Sequence, residues 1–180
     1  LMSQWHAALT CADPRIACVA WLNLDENDND PPRLLRYLYA ALARCVPTLA
    51  ADAVSEISRT TDLSVLLESL SLRLAAHEQP IVLFLDDAHV ITSPDASRIV
   101  EWLLSHAGTQ LRFVIGGRQA AGWPQAELRL RGQLLEIDQR DLAFNRDEAR
   151  SFCTTRLTHA LEPAALARRA GVQGRRPDPR

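Results

Sequence analysis

Ile81 to Leu85 (IVLFL) is an unbroken run of branched and aromatic side chains that stops at two aspartates, Asp86 and Asp87. A run so short, with no polar alternation, fits a strand covered on both faces, the situation of a parallel sheet lying between layers of helix. Two other runs share this character. Ile16 to Leu22 (IACVAWL) lies between Pro14 and the polar stretch Asp25 to Asp30, and Leu111 to Ile115 (LRFVI) leads into Gly116, Gly117 and Arg118. Helical patterns separate them. Pro31 and Pro32 start a helix in which Leu34, Leu38 and Leu42 recur at spacing four down to Val46, with Pro47 as the stop. Leu66, Leu67, Leu70 and Leu74 follow a helical period from Leu63, and Ser93 with Pro94 opens a helix whose buried face is Ile99, Val100, Leu103 and Leu104.

This alternation predicts an α/β domain, with parallel strands joined by crossover helices and ligand chemistry at the carboxyl ends of the strands. Leu1 to Leu9 reads as the tail of a helix, and Thr48 to Asp62, small and polar without a period, as a loop or frayed helix. Leu134 to Ile137 (LLEI) reads as a last strand. Asn145 then caps a helix running through Phe152 to about Leu157, with Glu148 completing a capping box. From Glu162 the composition turns to Pro, Gly and Arg, a poorly ordered tail.

The 180 residues, 47% hydrophobic and 23% charged, suit one globular domain or most of one. A net charge of -2 lacks the basic excess of a self-sufficient nucleic-acid-binding domain. All 20 cationic side chains are arginine. The absence of lysine excludes a Schiff base, a Ser-Lys pair or a Walker A phosphate-binding lysine within these residues. Cys11, Cys18, Cys45 and Cys153 have no metal-ligand spacing and read as reduced, mostly buried thiols. No apolar stretch approaches a membrane span and no secretory signal opens the chain, so the expected compartment is the cytoplasm.

Paired carboxylates at the end of a buried strand are costly unless compensated, because desolvated like charges oppose one another. A divalent cation compensates them well, and IVLFLDD has the form of a Walker B element. In that form Asp86 holds magnesium, usually through water, and Asp87 orients or deprotonates an attacking water. Alone, the same acids equally fit structural residues that cap a neighbouring loop. Arg118 tips the balance, since it follows the next strand and emerges beside Asp86 at the same edge of a parallel sheet, where a guanidinium can contact a terminal phosphate.

The remaining candidates have simpler readings. The acids Asp25, Glu26, Asp28 and Asp30 lack the glycine and distal acid of a calcium loop and read as a solvated loop entering a helix N-terminus. His89 reads as a hydrogen-bonded structural histidine. Trp5, Trp21, Trp102 and Trp123 read as core or edge packing, and the Arg168, Arg169, Arg175 and Arg176 cluster as a solvated tail.

Five segments, taken in order, resemble a known family: LMSQWHAAL, VAWLNLDENDNDPPRLLRYLYAAL, IVLFLDDAHVI, FVIGGR and LRGQLLEIDQRDLAFNRDEARSF. They are similar to the nucleotide-binding domain of the large ATP-dependent LuxR-family transcriptional regulators, signal-transducing ATPases of the STAND class. The resemblance covers about Leu1 to Leu157. It implies a P-loop NTPase-like three-layer domain, ATP and magnesium as cofactors, Asp86 and Asp87 as the Walker B acids and Arg118 as the sensor of the terminal phosphate. It implies a partial ATPase domain over residues 1–140 and the start of a following helical subdomain over 141–160, while the composition marks 161–180 as a disordered tail.

Two departures from the family accompany it. The segment like LMSQW directly follows the glycine-rich Walker A loop in the family, so the chain is expected to be a fragment lacking that loop and the strand before it. The ending AGVQGRRPDPR replaces the family's Gly-Trp segment, as a shifted reading frame or an assembly edge would. Because the missing strand lies between the sensor strand and the last strand in the family, Leu134 to Ile137 is expected to stand apart from a three-stranded sheet. The function implied is part of an ATP-driven switch in a transcriptional regulator. Its partners are nucleotide and a small-molecule or protein inducer, with DNA reached only through a domain absent here, no membrane, and self-association in the parent. A stand-alone P-loop ATPase or kinase-like enzyme, and a degenerate interaction module without nucleotide, are the alternatives.

Overall fold

The computed structural model describes residues 1–12, 17–47, 49, 62–118, 123 and 125–156. These fall into two units, one within Leu1–Leu128 and one from Arg129 to the last described residue, Arg156. In the first, α1 (Met2–Cys11) is followed by β1 (Cys18–Asn23), a 3-10 turn (Glu26–Asn29), α2 (Pro31–Leu42) and α3 (Leu63–Ala75). Then come β2 (Ile81–Asp86), a second 3-10 turn (Ala88–Val90), α4 (Pro94–His106) and β3 (Leu111–Ile115); a short helix, α5 (Gln125–Leu130), contains the division between the units.

The sheet is parallel throughout, in the order β1-β2-β3. Cys18 pairs with Ile81 and Ile81 with Leu111, so the three strands are in register and finish together. The three apolar runs thus form one α/β sheet in the expected order. Alternation of side chains divides β2 between two faces. Ile81, Leu83 and Leu85 join Leu34, Leu38 and Leu42 of α2, Leu70 and Leu74 of α3 and Ile99 and Leu103 of α4 in the main core. On the opposite face Phe84 stacks on Trp21 with centroids 5.2 Å apart, and Trp5 and His6 of α1 meet its ring edge-on. Helices therefore cover both faces, which is why IVLFL shows no alternation. Each fully buried leucine of this core contributes roughly 1.5–3 kcal/mol from its removal from water.

Local chemistry sets the helix starts. Asp30 accepts from Arg33 N and Pro31 and Pro32 occupy the first turn of α2; Asp62 accepts from Ser64 N at the start of α3; Ser93 accepts from Ala96 N at the start of α4. The buried Tyr39 hydroxyl donates to Leu66 O at 2.9 Å and ties α2 to α3.

In the second unit, α6 (Arg146–Arg156) begins as expected. Asn145 N donates to Glu148 Oε2 and Glu148 N to Asn145 Oδ1, both at 2.9 Å, a reciprocal capping box. Phe144 stacks on Phe152, and Arg129 pairs with Glu136.

Three expectations are corrected. Leu134–Ile137 is not a strand, since no described residue forms a ladder with its backbone, and apolar content alone does not make one. It does stand outside the three-stranded sheet. The cysteines are free, but only Cys45 is buried; Cys11 is exposed and Cys18 and Cys153 are intermediate. Asp28, read as solvated, is buried and held by Arg33. Pro14 to Ile16, most of Thr48 to Asp62 and everything from Leu157 onward, with the arginine cluster, lie outside the described residues.

Candidate functional site

In-register parallel pairing brings Asn23, Asp86 and Gly116 to one edge of the sheet. Backbone hydrogen bonds continue the ladder past the strands: Leu24 N donates to Asp86 O at 3.1 Å, Gly116 N to Leu85 O at 2.8 Å and Ala88 N to Gly116 O at 2.8 Å. Asp86 is thus fixed at the end of the central strand with a neighbour on each side.

The Asp86 carboxylate uses Oδ1 to accept from Asp87 N at 3.0 Å. Its other oxygen takes no hydrogen bond from a described residue. Asp87 has φ 56° and ψ 32°, the left-handed region, and is the only non-glycine residue with positive φ among the described residues. That conformation costs on the order of 1 kcal/mol for a residue with a Cβ, aspartate tolerating it better than most. It swings the chain out of β2 and leaves the Asp87 side chain about half exposed.

His89 corrects an expectation. Its Nδ1 is buried with no hydrogen-bond partner among the described residues, and Asp87 Oδ1 lies 3.8 Å from it.

Gly116 leaves no room for a side chain. A Cβ there would overlap Met2 Sδ and come within 3.1 Å of Asp86 Oδ1. Met2, in the first turn of α1, therefore lies against the strand-end glycine beside Asp86. Arg118 follows two residues later, is exposed, and forms no hydrogen bond or ion pair with a described residue. Asp86, Asp87 and Arg118 all emerge at the carboxyl edge, where open α/β sheets bind ligands.

The loop after β1 faces the same edge. Asp28 Oδ2 accepts from Asp25 N at 2.9 Å and its Oδ1 from Arg33 Nε at 3.1 Å, while Arg33 Nη2 reaches Asp25 Oδ2 at 3.0 Å. The backbone N–H of Asn27 holds the Asp25 carboxyl below the usual range, and the Asp28 carboxylate raises the Arg33 guanidinium. Asn29 closes this turn and hydrogen-bonds across to the segment after Asp87. Sequence reasoning missed Asn29, Met2 and Gly116. The local signals were an asparagine set among acids before a Pro-Pro helix start and a glycine at a strand end, neither of which names its distant partner.

Among the described residues no three His, Cys, Asp or Glu side chains form a metal-binding group. Magnesium needs fewer, being held by one or two carboxylates with water and substrate phosphates. Asp86, with an oxygen to spare at the strand end, fits that requirement.

A parallel α/β sheet flanked by helices, with paired acids closing its central strand and an arginine beyond the next strand, has the architecture of a P-loop NTPase-like domain. The sequence is 36% identical over 166 residues to the HTH-type transcriptional regulator MalT of Cronobacter sakazakii (strain ATCC BAA-894), a match that covers 91% of this chain and 18% of that protein. The chain is therefore a relative of one segment of a MalT-type transcriptional regulator. No family model matches it.

Proposed function

We propose that these residues form the Walker B and sensor portion of the ATP-binding signal-transduction domain of a LuxR-family transcriptional regulator. The single observation that carries this reading is the alignment of Asp86 and Gly116 at one sheet edge, with Arg118 two residues beyond. Residues 1–140 belong to the ATPase domain in this reading, and 141–160 begin the helical subdomain that follows it.

Asp86, one of whose carboxylate oxygens takes no hydrogen bond from a described residue, would hold magnesium, directly or by way of water. Asp87, turned outward by its left-handed backbone, accepts a hydrogen bond from the attacking water and orients it. Arg118 reaches the terminal phosphate and distinguishes a triphosphate from a diphosphate. Magnesium, when bound, neutralises charge on the phosphate oxygens. Nucleotide and inducer then favour the active, self-associating state of the regulator, and hydrolysis resets it. DNA is contacted by another part of that regulator.

The test is nucleotide competition on the full-length protein carrying this sequence. Arg118→Ala is expected to reduce the preference for ATP over ADP by about tenfold while ADP affinity stays within about twofold. Unchanged discrimination would remove Arg118 from the site.

A further inference from the structure

Asn29 reaches from the loop after β1 to the end of the segment leaving Asp87, and its amide uses both its donor and its acceptor side. Nδ2 donates to Glu26 O and to Val90 O, both at 2.9 Å. Oδ1 accepts from Thr92 N at 2.8 Å and from Ser93 N at 2.7 Å. Three of these four partners lie 61 to 64 residues away in sequence. An asparagine offers two donors and a carbonyl oxygen with two lone pairs, so the amide matches its surroundings on both sides.

The segment it grips is the one that sets Asp87. The chain leaves β2 through the left-handed Asp87, makes one 3-10 turn over Ala88–Val90 and enters α4 at Ser93. Its near end is fixed by the sheet, through Ala88 N to Gly116 O and Leu24 N to Asp86 O. Its far end is fixed by Asn29. The bonds in between, Val90 N to Asp87 O and Ile91 N to Ala88 O, are internal to the turn and cannot anchor it to anything else.

Asn29 is itself presented from a rigid base. The buried Asp28 caps the Asp25 amide and pairs with Arg33, and Asp30 caps α2, so the 3-10 turn that carries Asn29 is set independently of the Asp87 segment. A side chain with four satisfied bonds on such a base can hold a strained neighbour in place.

We propose that Asn29 is a positioning residue for the reaction, holding the Asp87 turn so that its carboxylate points where water is to be oriented. This rests on the nucleotide reading of Asp86 and Asp87 given above. Asn29 touches neither nucleotide nor water in this account; it acts through the backbone of Val90, Thr92 and Ser93.

The experiment uses the full-length protein, with Asn29→Ala and Asn29→Asp beside the wild type. Amide hydrogen exchange reads the clamp without reference to nucleotide, and steady-state ATP hydrolysis reads its consequence. Asn29→Ala is expected to speed exchange at Thr92 and Ser93 by about tenfold or more while β2 amides change by less than about twofold. In the same variant kcat is expected to fall by about tenfold with KM for ATP within about twofold, the split of a group that acts on the chemical step rather than on binding. Asn29→Asp keeps the acceptor for Thr92 and Ser93 but turns an oxygen toward two carbonyls, so it should retain part of the protection and recover part of kcat. Unchanged exchange in Asn29→Ala would overturn the clamp. Lost protection with unchanged kcat, or a loss confined to KM, would overturn the positioning role. A wild type that neither binds nor hydrolyses ATP would instead overturn the nucleotide reading, and the positioning role with it, while the exchange result still reports on the clamp.

Discussion

Asp87 and Gly116 are the residues at which the candidate site departs from ordinary backbone or packing. Asp87 sits at φ 56°, so Asp87→Gly relieves backbone strain while removing the carboxylate. We expect that variant to be neutral or up to about 1 kcal/mol more stable in urea unfolding, yet to lose hydrolysis in the full-length protein. A clear loss of stability would mean that the carboxylate is structural. Gly116→Ala drives a methyl into Met2 Sδ and toward Asp86 Oδ1. It should cost roughly 1–3 kcal/mol by overpacking, with part of the loss restored in a Met2→Ala background. If the two substitutions are simply additive in urea unfolding, the contact does not explain the glycine. The placement of Asp86 and Asp87 at a strand end was legible in the sequence, because acids abruptly ending an apolar run mark where burial stops. Met2, Gly116 and Asn29 were not, because each gains its meaning from a partner that only the crossover connections bring near.

At the scale of elements, what was legible was what local chemistry dictates. The three apolar runs became β1, β2 and β3, and the Asp30, Ser93 and Asn145 starts of α2, α4 and α6 are all made by side chains acting on backbone within a few residues. Leu134–Ile137 was misread because strand formation is decided by a distant ladder partner, which no local pattern reports. Asp62 gives an element-level prediction with a definite sign. The Ser64 hydroxyl and backbone N–H hold its carboxyl below the usual value. A lowered folded-state pKa stabilises the start of α3 above the unfolded value, near 3.9, and that contribution is lost as pH falls through the folded value. Amide exchange at Ser64 and Val65 should therefore gain relative to the α3 interior below about pH 4, once intrinsic rates are removed. First-turn opening that increases as pH rises from 5 to 7 would contradict the assignment. Tyr39→Phe should destabilise the first unit by about 1–2 kcal/mol in urea unfolding, because Leu66 O loses the buried hydroxyl that donates to it.

For the whole molecule, a net charge of -2 and the absence of lysine set what the 180 residues can do alone. They contain neither a glycine-rich phosphate loop nor its lysine, so the 180-residue chain by itself should bind ATP with magnesium weakly or not at all. Calorimetry showing micromolar affinity would require a phosphate-binding arrangement other than the one proposed. No helix among the described residues is long and apolar enough to cross a membrane. The chain spans 18% of the regulator it matches, so the proposed function is tested on the full-length protein that carries this sequence. The most direct test of the carboxyl-edge site is magnesium-dependent ATP turnover by the full-length protein, comparing wild type with Asp86→Ala at saturating nucleotide. Turnover should fall by about a hundredfold or more in the variant while magnesium-free ATP binding stays within about threefold. Turnover equal to the wild type would contradict the assignment of Asp86, and with it the reading of this sheet edge as a nucleotide site.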